Sequence, residues 1–160
     1  MVAPPNFSLR LSTAPRARPK DSELVFGRIF TDHMAIADYD VDRGGWYDPR
    51  VVPYGPLSLD PAAAVLHYAQ AMFEGLKAFR GADGQIRLFR IDRHCRRMNS
   101  GAERLCIPPP DEALIRGAVM ALVGCFDRSP TSAFVLPTRR LARPAAPPPP
   151  AAPSARLPRG

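Results

Sequence analysis

Proline constrains this chain more than any other residue, because it fixes one backbone dihedral and removes a hydrogen-bond donor. The 160 residues contain 20 prolines, and eight of them lie between residues 137 and 158. That stretch is dominated by Pro, Ala and Arg, with four consecutive prolines at 147–150. Such a composition buries too little apolar surface to offset the entropy lost on ordering. The sequence therefore predicts a disordered tail over residues 129–160.

The charge of the chain divides at the same place. Residues 1–127 contain 16 Lys and Arg against 15 Asp and Glu, whereas residues 128–160 contain six Arg and no acid. Most of the net charge of +7 therefore belongs to the tail and not to a folded face. A basic tail attracts polyanions weakly and in a salt-dependent way. Because no aromatic interleaving or groove-reading motif accompanies the charge, we expect no specific nucleic-acid partner.

The middle of the chain, residues 25–128, has the strand and helix patterns of a mixed α/β (α+β) domain. Residues 25–37 are rich in aromatic and β-branched types and predict an extended segment. Asp60 is a good helix N-cap followed by proline, so we expect a helix from Asp60 to a stop at Gly75. The basic, proline-containing residues 1–24 predict a disordered leader, although their composition also overlaps with that of a transit peptide.

Further elements are expected beyond that helix. Strand-like residues 76–80 and 85–90 flank an Asp-Gly turn and predict a hairpin. Helical spacing then predicts a second helix over residues 92–105, followed by a third helix capped by Asp111. Residues 133–136 form the last strand that the pattern supports.

Few residues stand out as candidates for chemistry when the chain is considered without any comparison. Arg93, Arg96 and Arg97 lie on the second helix and could bind a phosphate, but composition alone favours a solvated helix face. Lys77 lies among apolar neighbours, where Schiff-base chemistry is conceivable, yet a lysine in a strand more often points into solvent. The three histidines show no metal-ligand spacing, so we expect no metal site.

The cysteines and the hydropathy indicate the compartment. Cys95, Cys106 and Cys125 form no CxxC pair and have apolar, helix-like neighbours, which predicts buried thiols in a reducing compartment. No run of 18 apolar residues exists, so we expect no membrane-spanning segment. Together these features predict a cytoplasmic protein.

Several strings of the sequence resemble one enzyme family. The string LHYAQAMFEGLKAF at residues 66–79 resembles the signature of branched-chain amino acid aminotransferases, which are fold-type IV pyridoxal phosphate enzymes. The strings FGRIFTDHM, VVPYGPLSLDP and IRLFR match the same family in the same order, and RRMNSGAERLCIP continues the match. The resemblance covers roughly residues 25–120. It implies the small N-terminal α/β domain of a fold-type IV aminotransferase, followed here by the tail.

The resemblance also assigns roles by position. Arg97 matches the arginine that holds the cofactor phosphate, a task that suits the planar guanidinium fork. Tyr68 and Phe73 match aromatic residues that line the substrate side-chain pocket, where rigid rings select a branched aliphatic group by shape. Lys77 matches a lysine that does not form the Schiff base. The implied cofactor is pyridoxal 5'-phosphate, the implied substrates are branched-chain amino acids and 2-oxoglutarate, and the implied full-length assembly is a homodimer.

The chain also departs from the family. Phe134 and Leu136 stand where the family has a tyrosine and an arginine that help bind the substrate carboxylate. Residues 137–160 offer no counterpart of the Schiff-base lysine, so we expect no catalytic residue and no transamination by this chain alone. Two alternatives stay open, namely a non-catalytic α/β association module and another class IV enzyme such as a D-amino acid aminotransferase. The string at residues 66–79 favours the branched-chain group over the latter.

Overall fold

The computed structural model of the protein describes residues 6–17, 19, 23, 25, 27–126 and 133–135. Within these ranges the chain forms a mixed α/β fold, as the sequence predicts. Its elements, in chain order, are β1 (Ser8–Leu9), β2 (His33–Asp40), β3 (Gly45–Pro53), α1 (Ala64–Tyr68), β4 (Gly75–Arg80), β5 (Ile86–Leu88), α2 (Ile91–Arg104), α3 (Glu112–Phe126) and β6 (Ala133–Val135). Apart from β6, the predicted tail lies outside the described residues.

The first sheet has the strand order β1-β3-β2, with β1 parallel and β2 antiparallel to β3. β2 begins at His33, whereas the extended segment predicted from the sequence starts at residue 25 and ends at residue 37. The cause is tertiary. The carbonyl of Thr31 accepts a hydrogen bond from the Arg16 guanidinium (3.0 Å), so a side chain and not a neighbouring strand satisfies the backbone there.

The N-terminal segment is tied to this sheet. β1 lies parallel to β3, and farther along the segment the Arg16 guanidinium forms an ion pair with Asp32 (2.8 Å). The sequence predicts a disordered leader over residues 1–24, whereas the structure places residues 6–17 along the sheet. Local composition does not reveal this, because the pairing partner is far along the chain. The domain boundaries themselves stay a prediction.

The second sheet has the order β5-β4-β6, and both pairings are antiparallel. The predicted hairpin is confirmed as β4 and β5. Its turn is closed by a hydrogen bond from the Gly84 amide to the Gly81 carbonyl (2.9 Å), and Gly84 has the positive φ (76°) that glycine adopts without steric cost. β6 confirms the short strand predicted at residues 133–136 and pairs with the first half of β4.

α2 and α3 confirm the second and third predicted helices. Asp111 caps α3, because its carboxylate accepts a hydrogen bond from the Ala113 amide (2.9 Å). One face of α3 packs against both sheets in the main core cluster, whose buried members are Ala35, Val51, Leu76, Ala118, Val119 and Leu122. A smaller cluster joins the two helices through Cys95, Met98 and Ile115. No helix within the described ranges is long and apolar enough to cross a membrane.

α1 is shorter than the sequence predicts. The predicted helix over residues 60–75 is wrong, because α1 covers only Ala64–Tyr68 and Ala69 ends it with a left-handed φ of 48°. The Asp60 carboxylate accepts a hydrogen bond from the Ala62 amide (2.7 Å) in a separate turn that precedes the helix. The residues after Ala69 leave the helix and lead directly into β4.

The cysteines differ from their predicted burial at one position. Cys95 is buried and Cys125 is half-buried, and burial raises the pKa of both thiols. Cys106 is exposed, so its predicted burial is wrong. It lies just after α2 with a φ of 52°, at a sharp change of chain direction that turns it away from the core.

Candidate functional site

The segment between α1 and β4, residues 69–74, carries much of the predicted site. The side-chain amide of Gln70 donates a hydrogen bond to the Leu105 carbonyl (2.7 Å), just beyond the end of α2. Met72 packs closely on Gly101 of α2, where a Cβ atom would lie only 2.9 Å from the Met72 Cε. These contacts hold the segment against α2, and the small size of glycine makes the close approach possible.

Glu74 is the only buried polar or charged residue among those that the structure describes, with 7% of its surface exposed. Its Oε2 accepts a hydrogen bond from Nε of Arg97 (2.6 Å), and its Oε1 accepts one from Nη2 of the same guanidinium. Oε1 also lies 2.8 Å from Nδ1 of His94. An ionised carboxylate only accepts hydrogen bonds, so Nδ1 carries the proton in this arrangement.

The charges of this cluster support one another. Burial raises the pKa of Glu74, but hydrogen bonds and charge attraction from Arg97 and His94 outweigh that effect and hold it below its ordinary value. The hydrogen bonds to Glu74 raise the pKa of Arg97 in turn. Glu74 and Arg97 are therefore both ionised at neutral pH, which makes their paired hydrogen bonds charge-assisted.

Arg97 keeps part of its hydrogen-bonding capacity. A guanidinium has five N–H donors, and Glu74 takes one from Nε and one from Nη2. Nη2 also lies 3.3 Å from Nδ1 of His94, but that nitrogen already donates to Glu74. No described residue accepts from Nη1, and the side chain is 68% exposed. The outer fork of Nη1 and Nη2 is thus open to an anion from solvent.

Tyr68 and Phe73, the two predicted pocket residues, are both exposed, by 83% and 59% of their surfaces. Neither side chain is therefore packed into the core of the described chain. The Phe73 ring lies over Gly75, where a Cβ atom would be 3.3 Å from the ring Cζ. Phe73 immediately precedes Glu74 and so belongs to the segment bound to Arg97, while Tyr68 lies at the other end of the segment, at the close of α1.

Lys77 and the other two candidate arginines, Arg93 and Arg96, remain in solvent. Side chains alternate between the faces of a strand, so the exposed Lys77 lies on the face of β4 opposite the buried Leu76. This is the solvent-facing position that the sequence favours for a strand lysine. Arg93 and Arg96 reach only Asp92, at 3.9 Å each. Of the three candidate arginines, only Arg97 has a buried partner.

Glu74 is the site residue that the sequence does not predict. An acid inside the apolar run AMFEGL is the available signal, since a buried carboxylate needs partners. The predicted helix over residues 60–75 hides this signal, because it places Glu74 in a fraying last turn. The Phe134 side chain and Leu136, where the chain departs from the resembled family, lie outside the described residues.

Comparisons with known proteins find branched-chain-amino-acid aminotransferases that resemble this chain. No family model matches the chain. A branched-chain-amino-acid aminotransferase 2 of Bacillus subtilis is 47% identical over 115 residues, which are 72% of this chain and 31% of the relative. The cytosolic branched-chain-amino-acid aminotransferase of Saccharomyces cerevisiae is 48% identical over 101 residues, 62% of this chain and 27% of the relative. Over most of its length, this chain is similar to a segment of branched-chain-amino-acid aminotransferases, consistent with a fragment of that family.

A further aminotransferase shows the same similarity. The branched-chain-amino-acid aminotransferase of Mycobacterium tuberculosis is 51% identical over 98 residues, 61% of this chain and 26% of the relative. The resemblance inferred from the string at residues 66–79 is therefore confirmed. The chain spans about 30% of the length of the relatives it matches. The activity, substrates and partners of a whole aminotransferase are accordingly proposals for this protein.

Proposed function

We propose that this segment forms one wall of the pyridoxal phosphate site of an enzyme that transfers amino groups between branched-chain amino acids and 2-oxoglutarate. The observation that carries the proposal is the outward fork of Arg97, an exposed guanidinium with open donors on a helix that is otherwise tied into the core. The names and identities of the relatives support the reaction class.

The residues present fit the phosphate of the cofactor. Nη1 and Nη2 of Arg97 can donate two hydrogen bonds to phosphate oxygens and so orient the cofactor from its phosphate end. Pyridoxal phosphate, when bound, supplies the electron sink that stabilises negative charge on the amino acid. This chain supplies no catalytic residue in the proposal, since its only lysines are Lys20 and Lys77, and Lys77 faces solvent.

Tyr68 and Phe73 are proposed to contact the branched side chain of the substrate. Rigid aromatic rings recognise an aliphatic group through shape and apolar contact and exclude water from it. Both rings are exposed here, so their apolar surface is available to a ligand. Gly75 supports this role for Phe73, because a larger residue at that position would displace the ring.

The assembly and location are proposed on the family assignment alone. We propose a homodimer for the full-length enzyme and a cytoplasmic location. The relative from S. cerevisiae has the word cytosolic in its name, which supports the location.

Phosphate binding by Arg97 is directly testable with inorganic phosphate and with pyridoxal phosphate. We expect weak, salt-sensitive binding to the chain, because one guanidinium provides the contact. Arg97→Ala should weaken it about tenfold, the effect of losing a hydrogen bond to a charged group. Arg93→Ala is the matched control, since Arg93 is equally cationic and exposed on the same helix. Equal loss in both variants would indicate only general charge attraction and would contradict the proposal.

A further inference from the structure

We infer that Glu74 is a positioning residue, which clamps one edge of Arg97 so that the opposite edge is presented to a phosphate. The inference rests on the proposed function of Arg97 and adds the residue that holds its guanidinium. The two hydrogen bonds from Nε and Nη2 to one carboxylate fix the plane of the guanidinium as well as its position. A single contact would leave the group free to rotate.

The clamp is anchored in the core. Glu74 is 7% exposed, whereas the Arg97 side chain is 68% exposed, so the buried partner fixes the solvent-facing one. Glu74 immediately precedes β4, whose backbone is paired with β5 on one side and β6 on the other. The position of the carboxylate is therefore set by the second sheet and is not free to follow the arginine.

His94 fixes the carboxylate from a second direction. It lies three residues before Arg97 on α2, which places both side chains on the same helix face. Its Nδ1 donates to Oε1 of Glu74 at 2.8 Å, and the ring is only 20% exposed. Two groups of α2 thus hold one carboxylate of the segment that leads into β4, and the cluster has a defined geometry before any anion arrives.

Positioning and charge act in opposite directions on anion affinity. Glu74 contributes a negative charge near the phosphate, which opposes binding. The outer edge of Arg97 faces water, whose high dielectric constant weakens that repulsion. Immobilising a long, unheld side chain on binding reduces affinity by about twofold to tenfold. We therefore assign to Glu74 a net favourable effect on phosphate binding.

The first test uses the unmodified chain without phosphate. We expect the Nε–H proton of Arg97, observed by ¹⁵N NMR, to exchange with water about tenfold more slowly than that of Arg96, because a charge-assisted hydrogen bond protects it. Arg96 is a suitable internal reference, since it lies on the same helix and reaches only Asp92 through Nη2. Equal exchange rates would overturn the clamp.

The second test compares Glu74→Gln with Asp83→Asn in inorganic phosphate binding at 0.15 M salt. Asp83→Asn is the matched control, because it removes the same charge from an exposed carboxylate–arginine pair elsewhere. We expect Glu74→Gln to weaken binding about threefold to tenfold and Asp83→Asn to leave it unchanged. Unchanged or tighter binding by Glu74→Gln overturns the positioning role. Tighter binding would make Glu74 a competitor of the anion.

Two controls keep the outcomes separable. Thermal unfolding verifies that Glu74→Gln is folded, and Glu74→Asp, which keeps the charge, should bind phosphate with intermediate affinity. If the unmodified chain binds no phosphate, the proposed function fails and the positioning role fails with it. If the unmodified chain and Glu74→Gln bind equally, only the positioning role of Glu74 fails.

Discussion

A buried carboxylate stabilises a fold only while it is ionised and paired, and Glu74 meets both conditions. Its partners, Arg97 and His94, compensate for the water that the carboxylate loses on burial. The same three residues therefore hold α2 against the segment before β4 and also form part of the proposed anion site.

We expect Glu74 to make the stability of the protein depend on pH. The pKa of Glu74 is lowered in the folded chain from the ordinary value of 4.5. A group with a depressed folded pKa stabilises the fold above its unfolded pKa, and this contribution disappears as the pH falls through the folded value. The difference in unfolding free energy between the unmodified chain and Glu74→Gln should thus be constant above about pH 5 and shrink below it.

Urea denaturation at several pH values between 3 and 7 measures that difference. Asp83→Asn serves as the comparison, because Asp83 is exposed and its ion pair with Arg87 contributes little. The pKa of Asp83 is lowered to about 2 by its hydrogen bonds to Arg87, so Asp83 stays ionised over most of the range. A stability difference for Glu74→Gln that does not change with pH would contradict the pairing.

At the scale of elements, α3 organises the core. Its buried residues contact strands of both sheets, while its other face is in solvent. This arrangement follows from the apolar stripe at helical spacing, which a helix between two sheets must bury.

Leu122→Ala should lower the free energy of unfolding by about 2 to 5 kcal/mol, the usual cost of a cavity at a buried leucine. Leu122 is 4% exposed and belongs to the main core cluster. Met120→Ala on the same helix is the control, because Met120 is 56% exposed and should change stability by no more than about 0.5 kcal/mol. Chemical denaturation of both variants measures the two losses of unfolding free energy. Similar losses would show that α3 does not pack as described.

The elements differ in how accurately the sequence predicts their position and length. α3 and the hairpin of β4 and β5 are predicted well, because an apolar stripe, an Asp cap and a Gly turn are local signals. α1 is predicted too long, because Ala69 has no local signal for a left-handed conformation. The contacts that draw the chain away from the helix, such as the hydrogen bond from Gln70 to Leu105, join residues distant in sequence.

At the scale of the whole molecule, the placement of the amines limits what the 160 residues can do, because Lys77, the lysine that the structure describes, is exposed on β4. We expect the isolated chain not to transaminate leucine with 2-oxoglutarate and not to hold pyridoxal phosphate covalently at a single lysine. Covalent attachment needs an amine beside the cofactor aldehyde. Lys77 is exposed and lies on the face of β4 opposite the buried Leu76.

The measurement is to mix the chain with cofactor, reduce with borohydride and map the modified lysines, alongside an assay of leucine turnover. Diffuse or absent labelling without turnover is the expected result. Lys77→Arg shows whether any labelling depends on that position. Specific labelling of Lys77 together with turnover that Arg97→Ala abolishes would overturn the expectation.

The sequence by itself indicated the resemblance to branched-chain-amino-acid aminotransferases, the mixed α/β class, the hairpin, the two long helices and the residues Arg97, Tyr68 and Phe73 as candidates. These follow from ordered motifs and from short-range patterns that survive without knowledge of distant contacts. The tertiary structure alone decided that Ser8 and Leu9 pair with β3, that α1 ends at Tyr68, and that Glu74 is hydrogen-bonded to Arg97. The physical reason is common to all three, because each depends on contacts between groups far apart in the chain. The burial of Glu74, for example, becomes favourable only once the fold of β4 and α2 brings Arg97 and His94 to its carboxylate.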